Sequence, residues 1–292
     1  MGETMSKAQA VAVITGASQG IGAALVQTFR GRNYRVVATS RSIKPSADPD
    51  IVTVQGDVAD PKTANLVFKE ALDRFGRVDT LVNNAGMFMA KPFTAYSKDD
   101  YAVYMATNVT GFFHMTQRAI EVMSKEGRGH VVTVTSSLVD QPMTSVPAVL
   151  ASLTKGALNA ATKSLAIEYA KNGVRVNAVS PGIIKTPMHP LEAHQVLASL
   201  HPMGRMGEVS DIVDAVMYLD SAGFVTGEIL HVDGGQAAGH HTIYWEPFRL
   251  FVGCACRKST SHIQMMKSAK KWRRQDATNG MCCSRRRRVL VD

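Results

Sequence analysis

TGASQGIG, residues 15–22, follows directly on the apolar run VAVI of residues 11–14, and the two together decide the fold. An uninterrupted apolar run of that length is what a strand buried on both faces presents. The glycines then fall at 16, 20 and 22, where the strand gives way to a helical pattern. Gly16 permits a tight turn, Gly20 lets the backbone approach a pyrophosphate, and Gly22 lets helix and strand pack closely. The unpaired N–H groups and partial positive charge at the helix start favour an anion there. Strand, glycine turn and helix in that order predict a dinucleotide site rather than a purely structural bend. Ser18, Gln19 and Ile21 complete the turn and are expected to share in cofactor contact.

Outward from this turn, strand-like and helix-like segments alternate. Strands are expected at 11–15, 35–39, 51–54, 78–82, 130–135, 174–179 and 228–232. Helices are expected at 20–30, 62–75, 149–170 and 211–219, with one long helical region at 101–126 that bends near Gly111. Such alternation predicts an α/β fold: a single doubly wound Rossmann-type domain over residues 7–239, with a seven-stranded parallel sheet and helices on both faces.

The second strand ends at Ser40-Arg41, where the adenosine ribose of a bound dinucleotide would lie. An acidic side chain there would accept bonds from a free 2′-hydroxyl and repel a 2′-phosphate. Ser40 is neutral and the Arg41 guanidinium pairs well with a phosphate, so NADP(H) is expected in preference to NAD(H).

Composition narrows the classes of function. The 292 residues carry a formal net charge of +9. Residues 1–239 hold 21 Lys+Arg and 21 Asp+Glu, whereas residues 240–292 hold 12 and 3. The basic excess therefore belongs to the tail, which also holds both tryptophans and all four cysteines (Cys254, Cys256, Cys282 and Cys283). A neutral body argues against nucleic acid as partner, and a body without cysteine excludes a thiol nucleophile there. No run of eighteen apolar residues predicts a membrane span, and residues 1–9 lack the pattern of a signal peptide, so the cytoplasm is the expected compartment. The cysteine spacing lacks the paired CxxC of a zinc site, so no metal is expected. The tail is expected to be disordered or loosely docked, and its run Arg285–Arg288 reads as solvated.

Further motifs carry a resemblance. Asp57-Val58 follows the third strand and Asn83-Asn84-Ala85-Gly86 the fourth. Asn108 falls on a helix, Ser136 at a strand end, Lys155 on the long helix, and Ser180-Pro181-Gly182 after the sixth strand. With the glycine turn, and over about residues 7–239, the chain resembles the short-chain dehydrogenase/reductase family. The resemblance implies that Asp57 and Val58 border the adenine, and Asn83, Ala85 and Gly86 the adenosine ribose side. It implies that Lys155 holds the nicotinamide ribose, while Pro181, Gly182, Ile184 and Thr186 line the nicotinamide and phosphate side. Asn108 would brace an active-site helix and a water, and Ser136 would bond a substrate carbonyl. Asn108, Ser136 and Lys155 are thus the expected catalytic residues. A small carbonyl or alcohol is the expected substrate, and helices 107–126 and 149–170 would pair subunits into a homodimer or homotetramer.

One implied role lacks its residue. The family's catalytic Tyr stands four residues before the Lys, and that position holds Ala151. Ser136 also lies fifteen residues before Ala151, about two more than the family's spacing, and the extra length falls within 138–147. A hydride moved to a carbonyl leaves an alkoxide that needs a proton, and losing a positioned acid lowers the rate by ~10²–10⁴. Candidate replacements are Tyr96, Tyr101, Tyr104, Asp140, His189 and His194, with His189 first because it lies in the expected lid, 186–205. Lys155 acting through the ribose hydroxyl is a further route. Two readings follow: an NADP(H)-dependent oxidoreductase with a Tyr-independent route, or a catalytically silent NADP(H) sensor or scaffold.

Overall fold

The computed structural model describes residues 9–239. The expectations for residues 7–8 and for the tail at 240–292, with its cysteines and arginine run, lie outside the described residues.

The strands are β1 (Val11–Thr15), β2 (Arg35–Ser40), β3 (Ile51–Gln55), β4 (Thr80–Asn83), β5 (Gly129–Val134), β6 (Val174–Pro181) and β7 (Ile229–Val232). They form one sheet in the order β3-β2-β1-β4-β5-β6-β7, with every pairing parallel. The helices are α1 (Gly20–Gly31), α2 (Pro61–Phe75), α3 (Lys98–Tyr104), α4 (Gly111–Glu126), α5 (Val149–Tyr169), α6 (His194–Ser199) and α7 (Val209–Ser221). Neighbouring residues of β1 serve opposite faces, as the two-residue strand period requires. Val13 packs with Phe68 of α2, Met115 of α4 and Ala166 of α5. Ile14 packs with Phe29 of α1 and Ile212 of α7. The sheet is therefore covered on both sides, in the doubly wound arrangement read from the sequence.

Strand order runs outward from β1 in one direction and from β4 in the other. The loops leaving the carboxyl ends of β1 and β4 part there and open a crevice.

The expected long helical region divides into α3, a π-helical segment Met105–Thr110 and α4. Ser97 and Asp100 close a capping box at its start. Gly111, where a bend is expected, has helical φ −61° and ψ −46°, and an added Cβ there would lie 2.6 Å from the Val58 side chain. In the 186–205 segment the apolar spacing yields only a 3₁₀ turn, Leu191–Ala193, and the short α6. Met188, Leu191, Val196 and Met203 of that segment are exposed, and Met188 and Leu197 also line the crevice.

Candidate active site

The crevice at the carboxyl end of the sheet is a cleft of about 610 Å³. One end is built around the 15–22 turn. Gly16 has φ +63°, and a Cβ there would lie 2.9 Å from Ala85 Cα. Gly22 is packed so closely that a Cβ would lie 2.2 Å from the Gly16 carbonyl oxygen. Gly20, at φ +54°, instead adjoins Thr186 with ordinary room. The turn is fastened to β4 by side chains. Thr15 Oγ1 accepts from Asn84 N at 3.0 Å and Ala85 N at 2.9 Å, and Asn84 Nδ2 donates to the Thr15 carbonyl at 3.0 Å. Helix α1 starts with no side-chain cap and no acidic residue in its first turn, so its leading amides are left for an anion.

Arg41 lines the cleft beside Ser40, Asp57 and Val58. No hydrogen bond or ion pair engages its guanidinium among the described residues. Asp57 is turned to its own backbone, where Oδ1 accepts from Ala59 N at 3.0 Å.

The other end is built on β5 and α5. Ser136 lines the cleft, its Oγ accepting from Leu138 N at 3.3 Å. Lys155 enters from α5, buried to 9% exposure, and donates to the Val134 carbonyl at 2.7 Å. That is its one protein partner among the described residues, and no carboxylate offsets its charge. Burial holds its pKa down at about 8. Gly86 makes room for it, since a Cβ there would lie 2.9 Å from Lys155 Nζ. Asn108, on the π-helical segment, is buried behind the wall. Its Oδ1 accepts from Met87 N at 2.9 Å and its Nδ2 donates to Thr154 Oγ1 at 3.0 Å, tying the chain after β4 to α5. Ala151 lines the cleft one turn before Lys155 and packs with Tyr104, Leu138 and Leu150.

Comparison with known proteins places this geometry. Residues 16–237 match the family model described as Enoyl-(Acyl carrier protein) reductase. The chain is 35% identical over 239 residues to 3-oxoacyl-(acyl-carrier-protein) reductase FabG of Vibrio cholerae, covering 77% of this chain and 96% of that protein. The chain belongs to the short-chain dehydrogenase/reductase family. A solved structure of ElxO with NADP bound superposes with a TM-score of 0.75 at 30% identity, over 79% of this chain and 100% of that one. The 3-ketoacyl-(acyl-carrier-protein) reductase of Brucella melitensis complexed with NADH superposes with a TM-score of 0.73 at 27% identity, again over 79% and 100%. The family is one of oxidoreductases, and this chain is of that class.

Of the residues expected at the site, Gly16, Ser18, Gln19, Ile21, Ser40, Arg41, Asp57, Val58, Ala85, Gly86, Ser136, Lys155, Pro181, Gly182, Ile184 and Thr186 line one cleft. Asn83 does not. It shares the α4-facing side of β4 with Leu81, and its Nδ2 donates to Thr116 Oγ1 at 2.9 Å. Asn84, one residue on and so on the opposite side, is the one at the cleft. The two-residue period of the strand was the signal that separates them.

The expected replacement acids separate as well. Tyr104 is fully buried with its hydroxyl 2.5 Å from Met89 N, and burial lifts its pKa to about 12. Tyr96 donates to the Met89 carbonyl at 2.8 Å, and Tyr101 is half exposed; none of the three lines the cleft. Asp140 lies 3.0 Å from His231 Nε2, away from the cleft. His194 Nε2 donates to the His189 carbonyl at 3.1 Å. His189 does line the cleft, with Nδ1 donating to the Ile184 carbonyl at 2.8 Å. Sequence reading missed Gln236, a buried residue from the turn after β7 that also lines the cleft.

Proposed function

We propose that this chain transfers hydride between NADP(H) and a small, partly apolar carbonyl or alcohol, by a route without a tyrosine at position 151. The observation that carries the reading is a single cleft with an uncapped helix start and Arg41 at one end and Ser136 with buried Lys155 at the other, neither cation meeting a carboxylate among the described residues. These residues fit the dinucleotide. A buried ammonium with one carbonyl partner has donors left for ribose hydroxyls, and a free guanidinium suits a 2′-phosphate. The bound nicotinamide would supply or accept the hydride. Ser136 would donate to the substrate oxygen, and Lys155 would hold positive charge near the oxygen as negative charge develops on it. Ala151, Leu138, Met87 and Phe88 give that end an apolar lining. Apart from Arg41 and Asp57 at the other end, Lys155 and His189 are the ionisable side chains among the described residues that line the cleft, and either would supply the proton.

NADPH oxidation against a panel of carbonyl compounds tests the reading, with calorimetry of NADPH and NADH alongside. Turnover with tighter NADPH binding supports it. Tighter NADH binding refutes the cofactor assignment. Absence of a phenol among the described residues lining the cleft favours a second reading, a silent NADP(H) sensor or scaffold, which predicts binding without turnover on any carbonyl. We further propose that residues 7–239 suffice for cofactor binding, which limited proteolysis of the tail would test. Exposed Phe113 of α4 and Leu153 and Ile167 of α5 support association of two or four copies through these helices. Sedimentation measures that directly.

A further inference from the structure

Gln236 sits in the 3₁₀ turn Gln236–Ala238, which follows β7. Asp233 fixes that turn, accepting from Gly235 N at 2.9 Å and Ala237 N at 2.7 Å. The Gln236 side chain is buried and reaches three separate segments. Its Oε1 accepts from Ser137 Oγ at 2.8 Å, and its Nε2 donates to the Leu200 carbonyl at 3.3 Å and weakly to Met143 Sδ at 3.7 Å. The Leu200 carbonyl can only accept, which fixes which end of the amide faces it.

Each partner belongs to a different wall of the carbonyl end. Ser137 directly follows Ser136. Met143 lies in the 138–147 loop and packs against the apolar cluster around Ala151. Leu200 closes α6 in the 186–205 segment. The base of that segment, by contrast, is fastened elsewhere. Ile183 N donates to His201 Nε2 at 3.0 Å, Lys185 N to the Gly207 carbonyl at 2.9 Å, and Gly207 N to the Ile183 carbonyl at 3.0 Å. The Lys185–Gly207 and Gly207–Ile183 bonds are separate from the Gln236 contacts, whereas the Ile183–His201 bond joins the base to the residue after Leu200.

We propose that Gln236 is a positioning residue that clasps the 138–147 loop to α6 and so sets the width of the substrate pocket beside Ser136. The inference rests on the proposed oxidoreductase reading for its kinetic consequence, and on geometry alone for its structural one. Gln236→Met keeps length and volume but removes the bonds to Ser137 and Leu200. With the full-length protein, it is expected to raise KM for the best carbonyl substrate about tenfold, with kcat changed less than about threefold and NADPH affinity unchanged by calorimetry. Ser137→Ala removes one partner from the other side, and the double variant is expected to show a KM no higher than Gln236→Met alone. Hydrogen exchange on the NADPH-bound protein supplies a readout that needs no turnover. Amides of 138–147 and 194–200 are expected to exchange faster together in Gln236→Met, with Lys185 and Gly207 unchanged. If Gln236→Met folds poorly, Ser137→Ala carries the same exchange prediction at smaller amplitude. Unchanged exchange in both segments, acceleration of one alone, or a parallel loss of NADPH affinity overturns the clasp. Absence of turnover in the unaltered protein overturns the oxidoreductase reading and leaves the exchange prediction to stand or fall separately.

Discussion

The two ends of the sheet treat buried polar groups in opposite ways. At the amino-terminal end, Asp220 accepts from Tyr34 Oη at 2.7 Å and Thr80 Oγ1 at 2.7 Å, with His130 Nδ1 at 3.5 Å. Arg175 spends its guanidinium on the carbonyls of Leu219 at 2.7 Å, Ala222 at 3.1 Å and Asp220 at 2.9 Å. At the carboxyl end, Lys155 has the Val134 carbonyl and no anion among the described residues. Burying a charge without a partner is unfavourable, so a fold keeps one where a ligand completes it. Saturated polar groups at one end hold elements together, while the unsaturated cation at the other marks the site.

Removing the hub of the saturated end should do the greatest damage. Asp220→Ala leaves Tyr34, Thr80 and His130 without their shared acceptor and should lower stability by about 3 kcal/mol in urea denaturation. A loss under about 1 kcal/mol would mean that water replaces the carboxylate, and the contrast between the two ends would fail. At the open end, Arg41→Ala should weaken NADPH about tenfold and leave NADH almost untouched, because an exposed guanidinium is lost only to the 2′-phosphate. Equal losses for both nucleotides would remove Arg41 from the phosphate.

Lys155→Met should act with the opposite sign to Asp220→Ala. The nucleotide-free protein should gain about 1 kcal/mol at pH 7, since an unpaired buried charge disappears. Burial places the folded pKa near 8, below the ordinary lysine value of 10.5. Between those values the unfolded chain binds more protons than the folded one, so stability of the unaltered protein rises with pH across that window. The gain from Lys155→Met should therefore shrink between pH 8 and 10.5. Thermal denaturation of the two proteins across that range checks it, and a constant gap would contradict the cause.

What the sequence made legible follows the same division. The strands could be read because Val11–Thr15, Val36–Ser40 and Val131–Val134 are buried on both faces and so appear as short runs rich in Val, Ala and Thr with no charged residue. The glycine turn could be read because Gly16 and Gly22 have no room for a side chain, which is a local requirement. Asn83 and Asn84 are separable by strand period, which sets Asn83 towards α4 and Asn84 at the cleft. Gln236 had no local signal: its bond to Ser137 joins residues 99 apart in the chain. The Asp220 cluster was hidden likewise, with Tyr34 186 positions away. Polar groups that join distant segments leave no period and no spacing to detect.

The remaining prediction probes the saturated end by acidification. Asn177 Oδ1 accepts from Glu228 N at 3.0 Å, so its Nδ2 faces His130 Nε2 at 3.0 Å and donates to it. Nε2 is therefore the bare nitrogen, and the proton sits on Nδ1 towards Asp220. A second proton would set two donors against each other. Burial, with the nearby Arg175 cation, holds the His130 pKa below the ordinary 6.5 despite the pull of Asp220. As pH falls below 6.5, the unfolded chain takes up a proton that the folded chain refuses, so the stability present above 6.5 is progressively lost. Between pH 7.5 and 5.5 this one group should account for up to about 1.4 kcal/mol. His130→Gln removes it while the remaining titrating groups persist, so its urea midpoint should fall less over that interval than the midpoint of the unaltered protein. Parallel curves would place the proton on His130 in the folded state as readily as in the unfolded one, and the saturated end would then accommodate charge as the Lys155 end does.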